Sequence, residues 1–214
     1  MIYEVRTYDI KPQSLPEVEK RFGEAYETRK KFSQLAAYWH TEIGPLNQVV
    51  HVWPYKDLEE RRKIRDTAMK EGAGKWPPNT ADLMVRQRSD IFLQFDFSPE
   101  LKPGKQGPFF EMRIYTYAPG QLPNLTRAWA HALPNRLKFG SPTAIWYSEL
   151  GGLNQFVHIW PYRTLDERMA TRDKARATGD WPPSAAAKKA GLPAYHLLLQ
   201  ENKILMPAAY SPIQ

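Results

Sequence analysis

The sequence has no cysteine among its 214 residues, which excludes disulfide bonds, thiolate metal sites and a cysteine nucleophile. No apolar run approaches the ~20 residues that a membrane-spanning helix needs, so we expect no membrane span. There is no glycine-rich phosphate loop, no dinucleotide-binding fingerprint and no Ser-His-Asp ordering, which argues against nucleotide-dependent and serine-hydrolase chemistry. No helix-spaced histidine motif is present, and we predict no metal site.

The beginning of the chain bears on its expected location. A strand-like alternation starts at residue 2, which leaves no room for a cleavable leader in the chain as given. A chain without cysteine also suits a reducing compartment. We therefore expect a cytoplasmic protein.

The net charge of +7 raises the question of nucleic-acid binding. The densest basic stretch, however, is interleaved with acidic residues, which is typical of a solvated helix surface. We therefore predict no nucleic-acid partner. The same stretch supports an alternative function, a non-enzymatic adaptor that binds a partner protein through its basic helical surface. Its basic residues are Arg61, Arg62, Lys63 and Arg65.

A nine-residue stretch occurs twice, at residues 47–55 and 154–162, with seven of nine positions identical. Glu4, Arg6 and Tyr8 also recur 107 positions later, as Glu111, Arg113 and Tyr115. This internal repeat predicts two similar units, at residues 1–98 and 109–206. A linker rich in proline and glycine at residues 99–108 joins them, and residues 207–214 form a tail.

Each unit is predicted to have the order strand–helix–strand–strand–helix–strand, which is ferredoxin-like. In the first unit we expect strands at residues 2–8, 36–42, 47–53 and 91–97, with a short helical pattern at residues 81–87. A capping box of Ser14 and Glu17 predicts the start of a first helix that runs to about Phe32, and Asp57 with Glu60 predicts a second. The last strand of the second unit is expected at residues 196–201.

A sheet with both helices on one side leaves its other side bare, so the two antiparallel sheets are predicted to face each other. Val5, Val50 and Val52 suit the side beneath the helices, and the opposite, polar side would then point into the space between the sheets. Polar groups around a central space predict a ligand cavity. The predicted inward residues are Glu4, Arg6, Tyr8, His51 and Trp53, and in the second unit Glu111, Arg113, Tyr115, His158 and Trp160.

His51 and His158 are the only histidines that recur between the units, and they are the candidate catalytic residues. A neutral imidazole with a pKa near ~6.5 can accept or donate a proton. The alternative is a histidine that is simply hydrogen-bonded within the core.

The remaining polar residues are candidates for ligand binding. The planar guanidinium of Arg6 or Arg113 suits a substrate carboxylate or enolate, to which Tyr8 or Tyr115 would also donate. The alternative is an ion pair with the glutamate two residues earlier. Trp53 and Trp160 would supply the aromatic wall or simply pack.

Several stretches together resemble the NIPSNAP family. They are Tyr-Glu-Val-Arg-Thr-Tyr at residues 3–8, Thr-Glu-Ile-Gly-Pro-Leu-Asn-Gln at 41–48 leading into His-Val-Trp-Pro-Tyr at 51–55, and Glu60-Arg61 with Arg65. Residues 148–155 repeat the middle piece, so the resemblance covers nearly the whole chain as two tandem units. It implies an α+β fold in which two ferredoxin-like βαββαβ units form an intramolecular dimeric α/β barrel.

The resemblance implies no reaction, because this family has no agreed biochemical activity. Its wider superfamily includes cofactor-free monooxygenases and haem enzymes. We therefore expect the barrel interior to bind a small apolar or aromatic molecule, with cofactor-free proton transfer or oxygenation as the candidate chemistry. We expect no cofactor, with haem held by an inward histidine as the alternative.

The two units differ at residues of the repeat, such as Val49 and Phe156, so we predict that one end is functional and the other degenerate. The oligomeric state stays open. The two units already complete the barrel in a monomer, while exposed edge strands would support a homodimer.

Overall fold

Two four-stranded antiparallel sheets, one from each unit, join edge to edge in this computed structural model of residues 1–214. The strands are β1 (Ile2–Ile10), β2 (Ala37–Ile43), β3 (Gln48–Tyr55), β4 (Met84–Gln94), β5 (Phe109–Tyr117), β6 (Ala144–Leu150), β7 (Gln155–Tyr162) and β8 (Leu197–Pro207). The helices are α1 (Leu15–Arg29), α2 (Leu58–Glu71), α3 (Leu122–Arg136), α4 (Leu165–Ala177) and α5 (Pro183–Lys189).

The strands follow the order β1-β3-β2-β8-β5-β7-β6-β4 around one closed barrel. Each unit contributes four neighbours, and the units meet where β2 pairs with β8 and where β4 pairs with β6. The predicted α+β fold of tandem ferredoxin-like units is therefore confirmed. Because the ring is closed, no free edge strand is left, so a homodimer would have to use another surface.

Local signals explain where several elements begin. The Asp57 side chain accepts a hydrogen bond from the Glu60 backbone N–H at 2.8 Å, which confirms the predicted start of α2. The capping box predicted at Ser14 is wrong, because the Ser14 hydroxyl instead donates to the Lys11 carbonyl. Helix α1 also ends at Arg29, before the expected Phe32.

The region before the fourth strand differs from the prediction as well. The helical pattern expected at residues 81–87 is only a 3₁₀ turn (Ala81–Leu83), and β4 begins at Met84. The strand is longer because it pairs along the whole of β1, with Arg86 opposite Asp9. Strand β8 extends beyond the predicted 196–201 for the same reason, since it pairs along β5.

The predicted orientation of the strands is wrong. Val5, Val50 and Val52 lie inside the barrel, in one core with their counterparts from the second unit. Trp53 lies on the outer side of the sheet, in a separate core with residues of α1, and the His51 ring contacts Phe22 of the same helix. The other predicted inward residues share this face of the sheet and also lie outside the barrel, beneath the helices. They are Glu4, Arg6, Tyr8, Glu111, Arg113, Tyr115, His158 and Trp160.

Two features explain this orientation of the strands: the narrow width of the barrel, and the position of the groups that pair with the charged side chains. One end of the narrow barrel is filled by valines and by large aromatic rings, such as Tyr3 stacked on Trp146 at 4.8 Å between ring centroids. The charged residues find their partners on the helices instead. The other end of the barrel is open and contains a cavity of about 770 Å³. No helix is both long and apolar enough to cross a membrane.

Candidate site beneath the helices

Glu4 lies at the centre of a cluster of arginines beneath α2. Its Oε1 accepts hydrogen bonds from Arg6 Nη1 and Arg61 Nη2, each at 2.7 Å, and from Ser89 Oγ at 2.7 Å. Burial would raise the pKa of this fully buried carboxyl, but the donors outweigh burial and lower the pKa to about 2. Glu4 is therefore ionised and holds two guanidinium groups in place, as the ion-pair alternative predicted.

His51 is held in one tautomer by Trp53. The indole Nε1–H of Trp53 donates to His51 Nδ1 at 2.7 Å, so the single proton of the neutral ring is on Nε2. Burial, with the nearby charge of Arg6, lowers the pKa of His51 well below its ordinary value, and the ring is neutral at pH 7. Nε2 has no partner in the protein. This geometry favours a hydrogen-bond donor over the general base suggested by the sequence.

Arg29 reaches the same region from the last turn of α1. Its side chain is almost completely buried, with the guanidinium carbon 4.5 Å from the ring centre of Trp53 and Nη2 donating to the Tyr55 hydroxyl at 3.1 Å. Burial lowers the pKa of Arg29 from its very high ordinary value. Nη1 has no hydrogen-bond partner. A buried guanidinium without an ion pair is costly, because its charge is not compensated within the protein.

These side chains line a cavity of about 440 Å³ between the sheet and helices α1 and α2. Arg6, Arg29 and Arg65 line the cavity, whereas no aspartate or glutamate does. The aromatic part of its wall consists of Tyr8, Phe22, Trp53, Tyr55 and Trp76. The cavity thus combines an excess of positive charge with an apolar, aromatic wall.

The loop of Trp76, Pro77 and Pro78 closes one side of this cavity. Trp76 packs edge-on against Phe22, with ring centroids 5.7 Å apart, and contacts Trp53. The loop therefore packs against helix α1 and also forms part of the cavity wall.

The second unit repeats the arrangement. Trp160 Nε1 donates to His158 Nδ1 at 2.6 Å, and burial lowers the pKa of His158 well below its ordinary value. Glu111 Oε1 accepts from Arg113 Nη1 at 3.0 Å and from Arg168 Nη2. The corresponding cavity measures about 320 Å³ and likewise has no carboxylate in its lining.

The two cavities differ in size and in their arginines: the first is lined by Arg6, Arg29 and Arg65, the second by Arg113, Arg172 and Arg176. Trp129 of α3 occupies the place of Phe22, and the larger indole accounts for the smaller second cavity. Arg136, the counterpart of Arg29, donates from Nη1 to the Gly140 carbonyl at 3.2 Å and does not line the cavity. Nε of Arg61 and of its counterpart Arg168 lack partners in both units, so the unpartnered Nη1 of Arg29 is the one that the second unit does not repeat.

The sequence analysis missed Phe22, Arg29 and Arg65 as residues of the cavity. A signal was available for the two arginines, because they recur as Arg136 and Arg172 at the 107-residue spacing. Their positions on helices made them look like surface charges. The predicted residues themselves, from Glu4 to Trp53, do come together, although on the other side of the sheet.

The basic surface proposed for the adaptor alternative is smaller than the sequence suggested. Arg61 is bound to Glu4 and Arg65 lines the cavity, so two of the four basic residues face inward. Arg62 and Lys63 are exposed, and both lie near Glu59, at 2.7 and 3.6 Å. The adaptor role stays a prediction with fewer residues to carry it.

The histidines do not fit an axial ligand to haem. Ligation through Nε2 requires a lone pair on that atom, which would move the proton to Nδ1. A proton on Nδ1 of His51 would face the indole N–H of Trp53, which is also a donor and whose Nε1 lies 2.7 Å from Nδ1. Trp160 presents the same obstacle to His158. No other group of at least three histidine, aspartate or glutamate side chains is arranged to hold a metal ion.

Comparison with known proteins shows which family has similar sequences. A sequence model of the NIPSNAP family matches residues 3–99 and 110–212. The NipSnap homologue of Dictyostelium discoideum is 29% identical, over 96% of this chain and 87% of its own length. The human NipSnap homologue 3A is 28% identical, over the whole of this chain and 86% of its own length.

Among solved structures, a putative monooxygenase from Fusobacterium nucleatum superposes with a TM-score of 0.64 at 10% identity, covering 97% of this chain and 92% of that protein. An anthrone oxidase-like protein superposes with a TM-score of 0.56 at 10% identity, covering 99% of this chain and 93% of its own. At such identities the likeness extends to the barrel fold alone.

Proposed function

The chain belongs to the NIPSNAP family, and we propose that it binds a small organic anion in the cavity of its first unit. The ligand class is an aromatic or apolar molecule that carries a carboxylate, enolate or phenolate oxygen. The observation that carries the proposal is the cavity lining, where three arginines occur without any carboxylate. The aromatic wall suits the apolar part of such a ligand.

The first unit is the better candidate because it has one more unpartnered donor than the second. His51 Nε2 and its counterpart His158 Nε2 both lack partners within the protein, whereas Arg29 Nη1 lacks one in the first unit alone. An anionic ligand whose oxygen atoms reached Arg29 Nη1 and His51 Nε2 would satisfy these buried donors and compensate the charge of Arg29, which removes the cost of leaving them unpaired. In the second unit the Gly140 carbonyl already accepts from the corresponding arginine nitrogen.

The same donors bear on catalysis. A neutral histidine N–H together with arginines stabilises negative charge that develops on an oxygen, as in an oxyanion hole. The cavity lining contains no glutamate or aspartate, and the lone pair of His51 is used by Trp53. For the proton transfer or oxygenation expected from the sequence, the cavity thus offers charge-stabilising groups but no base of its own. Binding and stabilisation of an anion is the function that this geometry supports best.

The test compares 1-naphthoate with its neutral isostere, 1-naphthamide, by isothermal titration calorimetry. A desolvated charge pair contributes about 2 kcal/mol or more, so wild-type protein should bind naphthoate at least about tenfold more tightly. Arg29→Met and His51→Phe should each remove most of this preference. Arg136→Met, at the matched position of the second unit, should preserve it, and so should the surface variant Arg62→Gln.

Equal binding of the two compounds by folded wild-type protein would refute the anion proposal. Retention of the preference in a folded Arg29→Met variant would refute the assignment to the first unit. Circular dichroism of each variant separates a lost site from a lost fold.

A further inference from the structure

The open end of the barrel contains a second cavity, on the other side of the sheet from the site described above. Its volume is about 770 Å³, and its walls are the inward side chains of strands from both units. The deep part is apolar, with Val5, Met112 and Val157 belonging to the barrel core. The upper part carries charged side chains, among them Lys203 of β8.

Lys203 is unusual among the lysines of the chain because it is buried, with only 6% of its surface exposed. Its Nζ donates to the side-chain oxygen of Gln48, a neutral acceptor. Gln48 in turn donates from Nε2 to Asp9 at 2.6 Å. The lysine therefore lines a cavity while it is anchored by an amide and not by a carboxylate.

Two of the three carboxylates near Lys203 are engaged with other cations, and the third, Glu201, lines the cavity without forming an ion pair with Lys203. Asp9 pairs with Arg86 at 2.7 Å, and Asp90 pairs with Arg88 at 2.7 Å. An ammonium group that is buried without its own ion pair is disfavoured relative to the neutral amine. Burial, helped by Arg86 and Arg88, accordingly lowers the pKa of Lys203, although Glu201 and Asp9 act in the opposite direction.

The barrel fold does not itself require a lysine at this position. Lys203 of β8 lies opposite Met112 of β5 in the sheet. Val5 is the counterpart of Met112 in the first unit, and the residue opposite Val5 is Asp90 of β4. The two units thus place an acidic and a basic residue at matching inward positions of one cavity. Only the basic one lacks a charged partner.

We propose that Lys203 is a reactive amine that forms an imine with small aldehydes or ketones that enter the barrel mouth. The neutral Nζ attacks the carbonyl carbon, so that a C–N bond forms as the π bond of the C=O group breaks, and one hydrogen moves from the nitrogen to the oxygen to give a carbinolamine. This intermediate loses its hydroxyl group with the second nitrogen-bound hydrogen as water, which leaves the C=N bond; no electrons are exchanged with a third species. The apolar lining below Lys203 suits a carbonyl compound with a short hydrocarbon body.

Trapping with a reducing agent tests this inference. Wild-type protein is incubated near neutral pH with limiting hexanal and sodium cyanoborohydride, and the alkylated lysines are quantified by peptide mass spectrometry. Lys203 should be labelled several-fold faster than the exposed Lys174 in the same sample, because its buried position in the cavity wall favours the neutral, nucleophilic amine. Lys203→Met should remove this fast labelling while the circular dichroism spectrum is retained.

Labelling of Lys203 no faster than Lys174, or fast labelling that persists in Lys203→Met, would overturn the proposal. Arg29→Met serves as a further control, because it lies on the other side of the sheet and should leave the labelling of Lys203 unchanged. The outcome is therefore independent of the anion site.

Discussion

Lowering the pH should destabilise this protein through its two buried histidines. His51 and His158 are 2% and 4% exposed, and both have a pKa well below 6.5 in the folded state. The unfolded chain takes up protons near pH ~6.5, whereas the folded rings stay neutral, so the unfolded state binds more protons below that pH. The free energy of unfolding is therefore highest above pH ~6.5 and falls as the pH decreases.

The size of the effect follows from this linkage. A histidine that stays neutral in the folded state costs about 2 kcal/mol of stability between about pH 7 and about pH 5, and the two together cost about 4 kcal/mol. The carboxylates contribute little in this range. The stability due to Glu4, whose pKa is lowered to about 2, is fully present above the unfolded value near 4.5 and is lost only below it.

Urea unfolding, followed by tryptophan fluorescence at each pH, measures this loss directly. His51→Gln should halve the pH-dependent loss to about 2 kcal/mol, whatever its effect on absolute stability. His131→Gln, which removes an exposed histidine, should retain the wild-type pH dependence because that side chain is in water in both states. A free energy of unfolding that does not change between the two pH values, or an unaltered loss in His51→Gln, would refute the assignment of neutral buried rings.

Two further predictions concern the surroundings of His51. Glu4→Gln should destabilise the protein by about 3 kcal/mol, because it leaves Arg6 and Arg61 without their buried anion. Urea unfolding measures the loss, with the exposed variant Glu59→Gln as the control, and equal stabilities of the two variants would contradict the prediction. Phe22→Trp should weaken naphthoate binding at least about tenfold, because it introduces into the first cavity the indole that the second cavity has at Trp129. Calorimetry measures the affinity, and an unchanged value would show that the difference in cavity volume does not affect binding.

The repeat was the feature of the sequence that predicted most of the fold. Because residues 47–55 recur at 154–162, the same order of strands and helices was predicted for both units. The closed barrel, to which each unit contributes four strands, agrees with that prediction. The convergence of Glu4, Arg6 and His51 followed from the neighbouring positions of β1 and β3, and their pairing confirms it. What the order of elements does not determine is which side of a sheet the helices cover.

That side was assigned wrongly because both faces of the repeated strand contain apolar residues. Val50 and Val52 looked like the surface beneath a helix, while they in fact fill the barrel. The decisive signal was on α2, whose only fully buried residue is Ala68 and whose Arg61 and Arg65 lie one turn apart. Two arginines on the buried side of a helix require an anion on the sheet below, and Glu4 is the residue of β1 that supplies it.

The pattern of agreement and difference between the two units separates structural from functional roles. The glutamate that holds two arginines and the tryptophan that donates to histidine occur in both units, so these contacts stabilise the polar layer beneath each pair of helices. The differences lie at and just behind the cavity wall: Phe22 against Trp129, and the unpartnered nitrogen of Arg29 against the satisfied one of Arg136. If the first cavity had no ligand, the first unit would gain stability by filling more of it, as the larger Trp129 does in the second unit. Its retention beside an unpaired guanidinium is the physical reason for placing the ligand there.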